Sequence, residues 1–378
     1  MKQKWDIFCK IVDNFGDIGV CWRLSKQLST EYGLQVRLWV DDLAVAKKLI
    51  ANLDINTASQ LIQDIEICHW TDDFKAATVA DVVIEAFGCE PPAIYLAAMA
   101  VKKPVWINLE YLSAEQWVDD FHAKSSPHPA SGLTRYFFFP GFTEQTGGLI
   151  REQGLLAARN DFQNSASAQQ AFLHGLHIAD DNALKVSLFA YPHAPVASLL
   201  DCLKASSRPV VCLVPESSIS TAISAYFGKQ KIQPGESVAS GNVRLQLIPF
   251  LTQQDYDKLL WACDINFVRG EDSWVRAVWA GKPFIWQPYL QQEDTHITKL
   301  TAFLDRYYST LSAAAKAAVY ACHLDWCKQQ LTQQHWENIL GNLPALQAHH
   351  IEQLEQLEQL ASQPDLAAKL VIFCQNRL

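Results

Sequence analysis

No stretch of this sequence reaches the roughly eighteen consecutive apolar residues that a membrane-spanning helix requires, so an integral helical membrane protein is excluded. Nor does a signal-peptide core follow Met1-Lys2-Gln3-Lys4-Trp5-Asp6, and the expected location is cytoplasmic. Charge is scarce. Charged residues make up 19% of the chain, and 31 Lys plus Arg face 40 Asp plus Glu for a net charge of -9. That deficit of positive charge argues against broad electrostatic binding of nucleic acid or anionic membrane, while a local pocket for a small anion remains open. The 10 cysteines show no zinc spacing; Cys322, His323 and Cys327 are the nearest approach. Most cysteines lie inside apolar runs, as buried thiols do, and no metal is expected. There is no Walker motif, and the dinucleotide fingerprint G-x-G-x-x-G fails because Asn14 stands two before Gly16, leaving only Gly16 and Gly19.

What the chain does have is core-forming material. Its 378 residues are 49% apolar with 12 Trp and 18 Phe, too rich for disorder and long enough for two domains at roughly 150 residues each. Trp5 to Val12 is an apolar run, Asp13 to Gly19 a glycine loop, and Val20 to Tyr32 a helix with Val20, Leu24 and Leu28 on one face. Further strand-like runs, at Val36 to Val40, Ile65 to Cys68, Asp81 to Ala86 and Val105 to Leu109, alternate with helical stretches, which predicts a parallel sheet with right-handed crossovers. After a polar, Asn- and Ser-broken stretch from Asp161 to Asp181 the alternation resumes. Runs at Leu184 to Phe189, Pro209 to Val214, Val243 to Ile248, Cys263 to Val268 and Pro283 to Gln287 predict a second α/β layer. The expected division is 1–170, 171–350 and a helical 351–378. In the last segment Ile351, Leu354, Leu357 and Leu360 recur every third residue, and Ser362 and Pro364 open a final helix. Packing on the chain's own domains explains that pattern better than a coiled-coil partner face, because four contacts do not sustain a heptad.

Two loops carry chemistry. Asp13 and Asp17 stand four apart in the first glycine loop, at the carboxyl end of a strand where open α/β sheets bind ligands. They suit a general base or a clamp for a cationic guanidinium, and equally a helix cap. In the second half, strand Cys263 to Val268 runs into Arg269-Gly270-Glu271-Asp272-Ser273 and a helix from Trp274, with Ser273 read as its N-cap. Such a loop holds a diphosphate through helix-start N–H groups and the Arg269 charge; a capped helix with a surface ion pair is the plainer reading. Glu271 and Asp272 would repel phosphate unless they face sugar hydroxyls. Phe250, after another strand, suits base stacking, with glutamine beside it, although most such rings are core. Phe189, Tyr191 and Tyr289 also follow strands and fit the same cleft or the core. Asp255-Tyr256-Asp257 spells a metal motif but falls in a helical stretch and is discounted.

The strings Trp5-Asp6-Ile7-Phe8-Cys9, Val12 to Val20 and Phe267 to Ser273, with Pro249-Phe250 and Gln287-Pro288-Tyr289, resemble the bacterial protein-arginine rhamnosyltransferases that modify translation elongation factor P. The resemblance spans both halves. It implies an inverting, metal-independent enzyme of GT-B type: two Rossmann-like domains facing across a cleft, with the C-terminal helix packing back on the first. The donor implied is dTDP-β-L-rhamnose, with no other cofactor, and the acceptor is an arginine of elongation factor P. By the same resemblance Asp13, Asp17 and Glu271 are catalytic acids, Asp17 the favoured base. Phe189, Tyr191, Phe250, Gln254, Arg269, Asp272, Ser273 and Tyr289 form the nucleotide-sugar site. A transferase with another donor or acceptor, or a non-catalytic translation-factor-binding protein, are the competing readings.

Overall fold

The computed structural model describes residues 2–378 apart from 76–77, 130, 179–181, 329–330 and 360–363. The strands are β1 (Lys4–Cys9), β2 (Gln35–Val40), β3 (Ser59–Ile62), β4 (Ile65–His69), β5 (Val82–Ala86), β6 (Val105–Leu109), β7 (Ser125–Pro127), β8 (Thr134–Phe138), β9 (Leu184–Leu188), β10 (Val210–Pro215), β11 (Ser237–Ser240), β12 (Val243–Ile248), β13 (Ile265–Arg269) and β14 (Phe284–Gln287). The helices are α1 (Phe15–Thr30), α2 (Leu43–Leu49), α3 (Ala93–Lys102), α4 (Trp117–Phe121), α5 (Leu155–Gln163), α6 (Ala166–Gly175), α7 (Val196–Lys204), α8 (Ser220–Tyr226), α9 (Gln253–Ala262), α10 (Asp272–Ala280), α11 (Thr295–Tyr307), α12 (Ala313–Cys327), α13 (Gln333–Gly341), α14 (Leu343–Gln359) and α15 (Leu366–Gln375). Among the described residues no helix is long and apolar enough to cross a membrane.

The chain divides into two compact units, Met1–Gln153 with Leu360–Leu378, and Gly154–Gln359. The division therefore falls at 153/154 where the sequence suggests 170, because α5 and α6 pack on α9 of the second unit. Likewise α14 stays with the second unit, and only the chain's last stretch returns to the first. Ser362, read as a helix start, and Leu360 lie outside the described residues; α15 is capped instead by Asp365, which accepts from Ala368 N at 2.9 Å.

In the first unit the strand order is β3-β4-β2-β1-β5-β6-β8-β7, parallel except for the antiparallel edges β3 and β7. The chain leaves β1 toward β2 and β4, then crosses back to β5 on the other side of β1. A topological switch point thus lies between β1 and β5, at their carboxyl ends. Beneath it Phe8 stacks on Trp39 at 5.7 Å, in a cluster with Tyr95 and Trp106. Asp6, buried in β1, takes a two-pronged pair from Arg37 of β2, at 2.8 and 2.6 Å, and a hydrogen bond from the Tyr95 hydroxyl.

In the second unit the order is β11-β12-β10-β9-β13-β14, again parallel except for the edge strand β11. Here the switch point lies between β9 and β13. Strands β1, β5, β6, β10, β13 and β14 are buried almost end to end, as parallel strands covered on both faces must be. Trp274 of α10 stacks on Trp286 of β14 at 3.7 Å, against Phe303 of α11. Leu354 of α14 is buried against Gly281 in this same unit, consistent with packing on the chain's own domain.

Candidate active site

At the switch point of the first unit the sequence turns sharply after β1. Helix α1 starts at Phe15, five residues before the expected Val20, so Asp17 belongs to its first turn and not to a loop. The early start follows from Asn14, whose φ of 42° folds the backbone back, and from Gly16 N–H, which donates to Asp13 O at 2.7 Å. Asp17 is buried. Its Oδ2 accepts from the backbone N–H of Val12 at 2.7 Å and of Asp13 at 2.8 Å, and its Oδ1 from the Tyr111 hydroxyl at 3.3 Å. Burial pushes the Asp17 carboxyl above the ordinary aspartate range, opposed by those two N–H groups and Tyr111 and helped by the nearby Asp41 charge. Asp13, also buried, lies with Oδ2 against Gly16, where an added Cβ would come within 2.6 Å. The two aspartates therefore meet in one turn, and Asp17 clasps the loop as well as presenting a carboxylate. Tyr111, which follows β6 and stacks on Phe87 at 4.3 Å, was not legible in the sequence; it joins the site only because β6 ends at the same sheet edge.

At the switch point of the second unit Arg269 ends β13. Its guanidinium lies 4.6 Å over Phe189 and 4.5 Å over Tyr191, the residues that follow β9. Two ring contacts fix its plane, each worth about 0.5–2 kcal/mol. Tyr289 packs edge-on to Tyr191 at 5.9 Å and is 42% exposed. His193, which carries no local signal in the sequence, stacks on Tyr191 at 5.3 Å. Burial first, then the Arg269 and His296 charges, hold its pKa below the ordinary histidine value.

The start of α10 corrects one expectation. Glu271, not Ser273, occupies the N-cap position and makes no side-chain cap there; Asp272 and Ser273 form the first helical turn. The Gly270 N–H donates to Gln287 O at 3.1 Å, a bond of the sheet. Glu271, Asp272 and Ser273 are all buried. Phe250 is half-buried two residues after β12, and Gln254 is exposed in the first turn of α9. Its neighbour Gln253 is buried and donates to Asp272 Oδ2 at 3.4 Å. Asp255 and Asp257 lie inside α9, the first paired within that helix with Lys258 at 3.0 Å and the second tying α9 to α10 through buried Arg276 at 2.7 Å. Among the described residues no group of three metal-ligating side chains forms, and no disulfide joins the cysteines, eight of which are buried.

Acids at one switch point, and an aromatic-clamped cation beside a helix start at the other, suit transfer from an anionic leaving group to a cationic acceptor. The family model for elongation-factor P (EF-P) rhamnosyltransferase EarP matches residues 5–375. The protein-arginine rhamnosyltransferase of Pseudomonas putida KT2440 is 45% identical over 381 residues, covering 100% of both chains. A solved structure that gives the basis for EarP-mediated arginine glycosylation of translation elongation factor EF-P superposes with a TM-score of 0.70 at 36% identity, over 100% of both chains. MurG of Acinetobacter baumannii shares the two-unit α/β fold, with a TM-score of 0.54 at 13% identity over 99% of this chain and 98% of that one. The fold is of GT-B type, and the chain belongs to the elongation-factor P rhamnosyltransferase family.

Proposed function

We propose that this protein transfers rhamnose from dTDP-β-L-rhamnose to an arginine side chain of translation elongation factor P, with inversion at the anomeric carbon, in the cytoplasm where that factor works. Family membership supports the reaction. The observation that carries it is the opposite charging of the two switch points: Asp13 and Asp17 at the first, Arg269 between two rings at the second.

Arginine is a poor nucleophile because its guanidinium stays protonated, with a pKa above about 12. Asp13 and Asp17 orient its fork, and Asp17 takes the proton as the new C–N bond forms and the sugar–phosphate bond breaks. A carboxylate raised by burial is a better base near neutral pH than an ordinary aspartate. The leaving dTDP is stabilised by the Arg269 cation and by the helix start at Asp272 and Ser273, so its developing charge is met without requiring a metal ion. Phe250 stacks the thymine; Phe189, Tyr191 and Tyr289 line the rest of the donor path, with Gln254 and Asp272 toward base and ribose. Glu271 is the third acid, turned toward the sugar.

Intact mass of elongation factor P after incubation with this protein and dTDP-rhamnose tests the reading. A deoxyhexose increment on one arginine is expected; none would overturn it. Asp17→Asn should lower transfer by about 10²–10⁴-fold while donor affinity stays within several-fold, and an active Asp17→Asn would remove Asp17 as the base.

A further inference from the structure

Gln287, the last residue of β14, has a side chain whose chemistry is not accounted for by the fold. It is 2% exposed, and neither Nε2 nor Oε1 has a hydrogen-bond partner among the described residues. Only its backbone is used, the carbonyl accepting from Gly270 N. Burying an amide with both ends unbonded costs free energy, and such groups in folded proteins are rare.

Its position says what it meets. In the parallel pair β13 and β14, Val268 is opposite Trp286 and Arg269 opposite Gln287. Trp286 faces α10, stacked on Trp274 and donating to Gly270 O at 2.8 Å. Strand alternation turns Gln287 to the other face, the one that carries Arg269, about 4.8 Å away in the next strand. The sheet order sets a sequence of stations along the carboxyl edge: Phe250 after β12, then Tyr191 after β9, Arg269 at β13 and Gln287 at β14. From β12 to β14 is four strand spacings, roughly 19 Å, which places Gln287 beyond reach of a base stacked on Phe250.

From this the geometry points to Gln287 as the residue that binds the hexose of the donor, through hydroxyl groups adjoining the diphosphate held by Arg269; this rests on the proposed donor reading. A diphosphate only accepts hydrogen bonds and would leave Oε1 unsatisfied. A sugar hydroxyl both donates and accepts, so a pair of them satisfies both ends of the amide. The group is then a specificity element for the sugar, separate from Arg269, which serves the nucleotide.

Calorimetric titration of the full chain with dTDP and with dTDP-rhamnose tests this, using wild type, Gln287→Leu and Gln287→Met, with melting of each unliganded protein alongside. Expected are dTDP affinity within twofold of wild type, dTDP-rhamnose affinity about tenfold weaker, and melting temperatures equal to or above wild type, because the unbonded amide is gone. Equal losses for both ligands, no loss for either, or variants that melt well below wild type would each overturn the assignment, the last by showing a structural amide. Wild type binding dTDP-rhamnose no more tightly than dTDP would overturn it too. Wild type binding neither ligand would instead sink the broader donor reading.

Discussion

At the scale of single residues, Gly16 shows how tightly the aspartate turn is constrained. A helix first turn ordinarily gains from Gly→Ala, by up to about 1 kcal/mol, yet here the added Cβ would meet Asp13 Oδ2 at 2.6 Å. What must move is the end of a side chain and not backbone, so the carboxylate swings away at little cost to folding. Gly16→Ala should therefore leave the melting temperature within a few degrees of wild type while transfer falls by about 10²-fold, since a misplacement of about 1 Å is enough for that loss. Full activity in the mass assay would show that the position of Asp13 is immaterial. Asp13, Asp17 and Arg269 stood out in the sequence because each falls in a short glycine-containing segment that follows an apolar run. Tyr111 and His193 did not, because their relation to the turn or the cradle comes from sheet order and leaves no local pattern. The Ser273 cap was misread for a related reason: Ser is a favoured cap, but β13 passes into α10 so directly that Glu271 already fills the place.

At the scale of elements, the parallel strands other than β8 were legible as apolar runs because both of their faces are covered, whereas β8 (Thr134–Phe138), parallel to β6 but mostly half-buried, was not legible in this way. The antiparallel edges β3 and β11 alternate between exposed and half-buried residues, and with β7 they lack any such run. A second feature of the elements is a buried imidazole cluster where α11, α12 and α14 meet. His350 bonds the Tyr307 and Tyr308 hydroxyls at 3.1 and 3.3 Å, His349 bonds Tyr307 O at 2.9 Å, and His323 bonds Val319 O at 2.9 Å. Burial holds His323 down at about 4 and His350 well below the ordinary value. The unfolded chain, with histidines near 6.5, therefore binds protons that the folded unit refuses. Stability is present above about pH 6.5 and is lost as pH falls below it, by up to about 1.4 kcal/mol per pH unit for each such histidine. Calorimetry from pH 7 to pH 5 should show a falling melting temperature. In His350→Gln the slope should be shallower by about one proton even though the variant is less stable at pH 7. An unchanged slope would mean that His350 is not among the groups responsible.

At the scale of the whole molecule, the order of residues along the chain and the membership of the units part company. The polar stretch after Asp161 looked like a linker, but polarity there marks the exposed faces of α5 and α6, whose other faces pack on the second unit. The chain's end then completes the unit that holds its beginning. Gln27 of α1 donates to Asp365 Oδ2 at 3.1 Å, Lys369 donates to Thr146 O at 2.6 Å and Glu144 O at 3.0 Å, and Phe373 packs on Tyr136 and Phe138 of β8. Removal of residues 364–378 strips these bonds and bares the rings of β8, a loss of several kcal/mol by the usual cost of deleting buried aromatic and aliphatic side chains. Because Arg269, Phe250 and the α10 start lie wholly in the other unit, the two consequences separate. In calorimetry the transition of the first unit should drop by about 10 °C or more, with transfer lost, while the second transition and the affinity for dTDP stay close to those of the intact protein. Should dTDP affinity collapse together with the first transition, the donor cradle would depend on the returning helix, and its assignment to the second unit alone would fail.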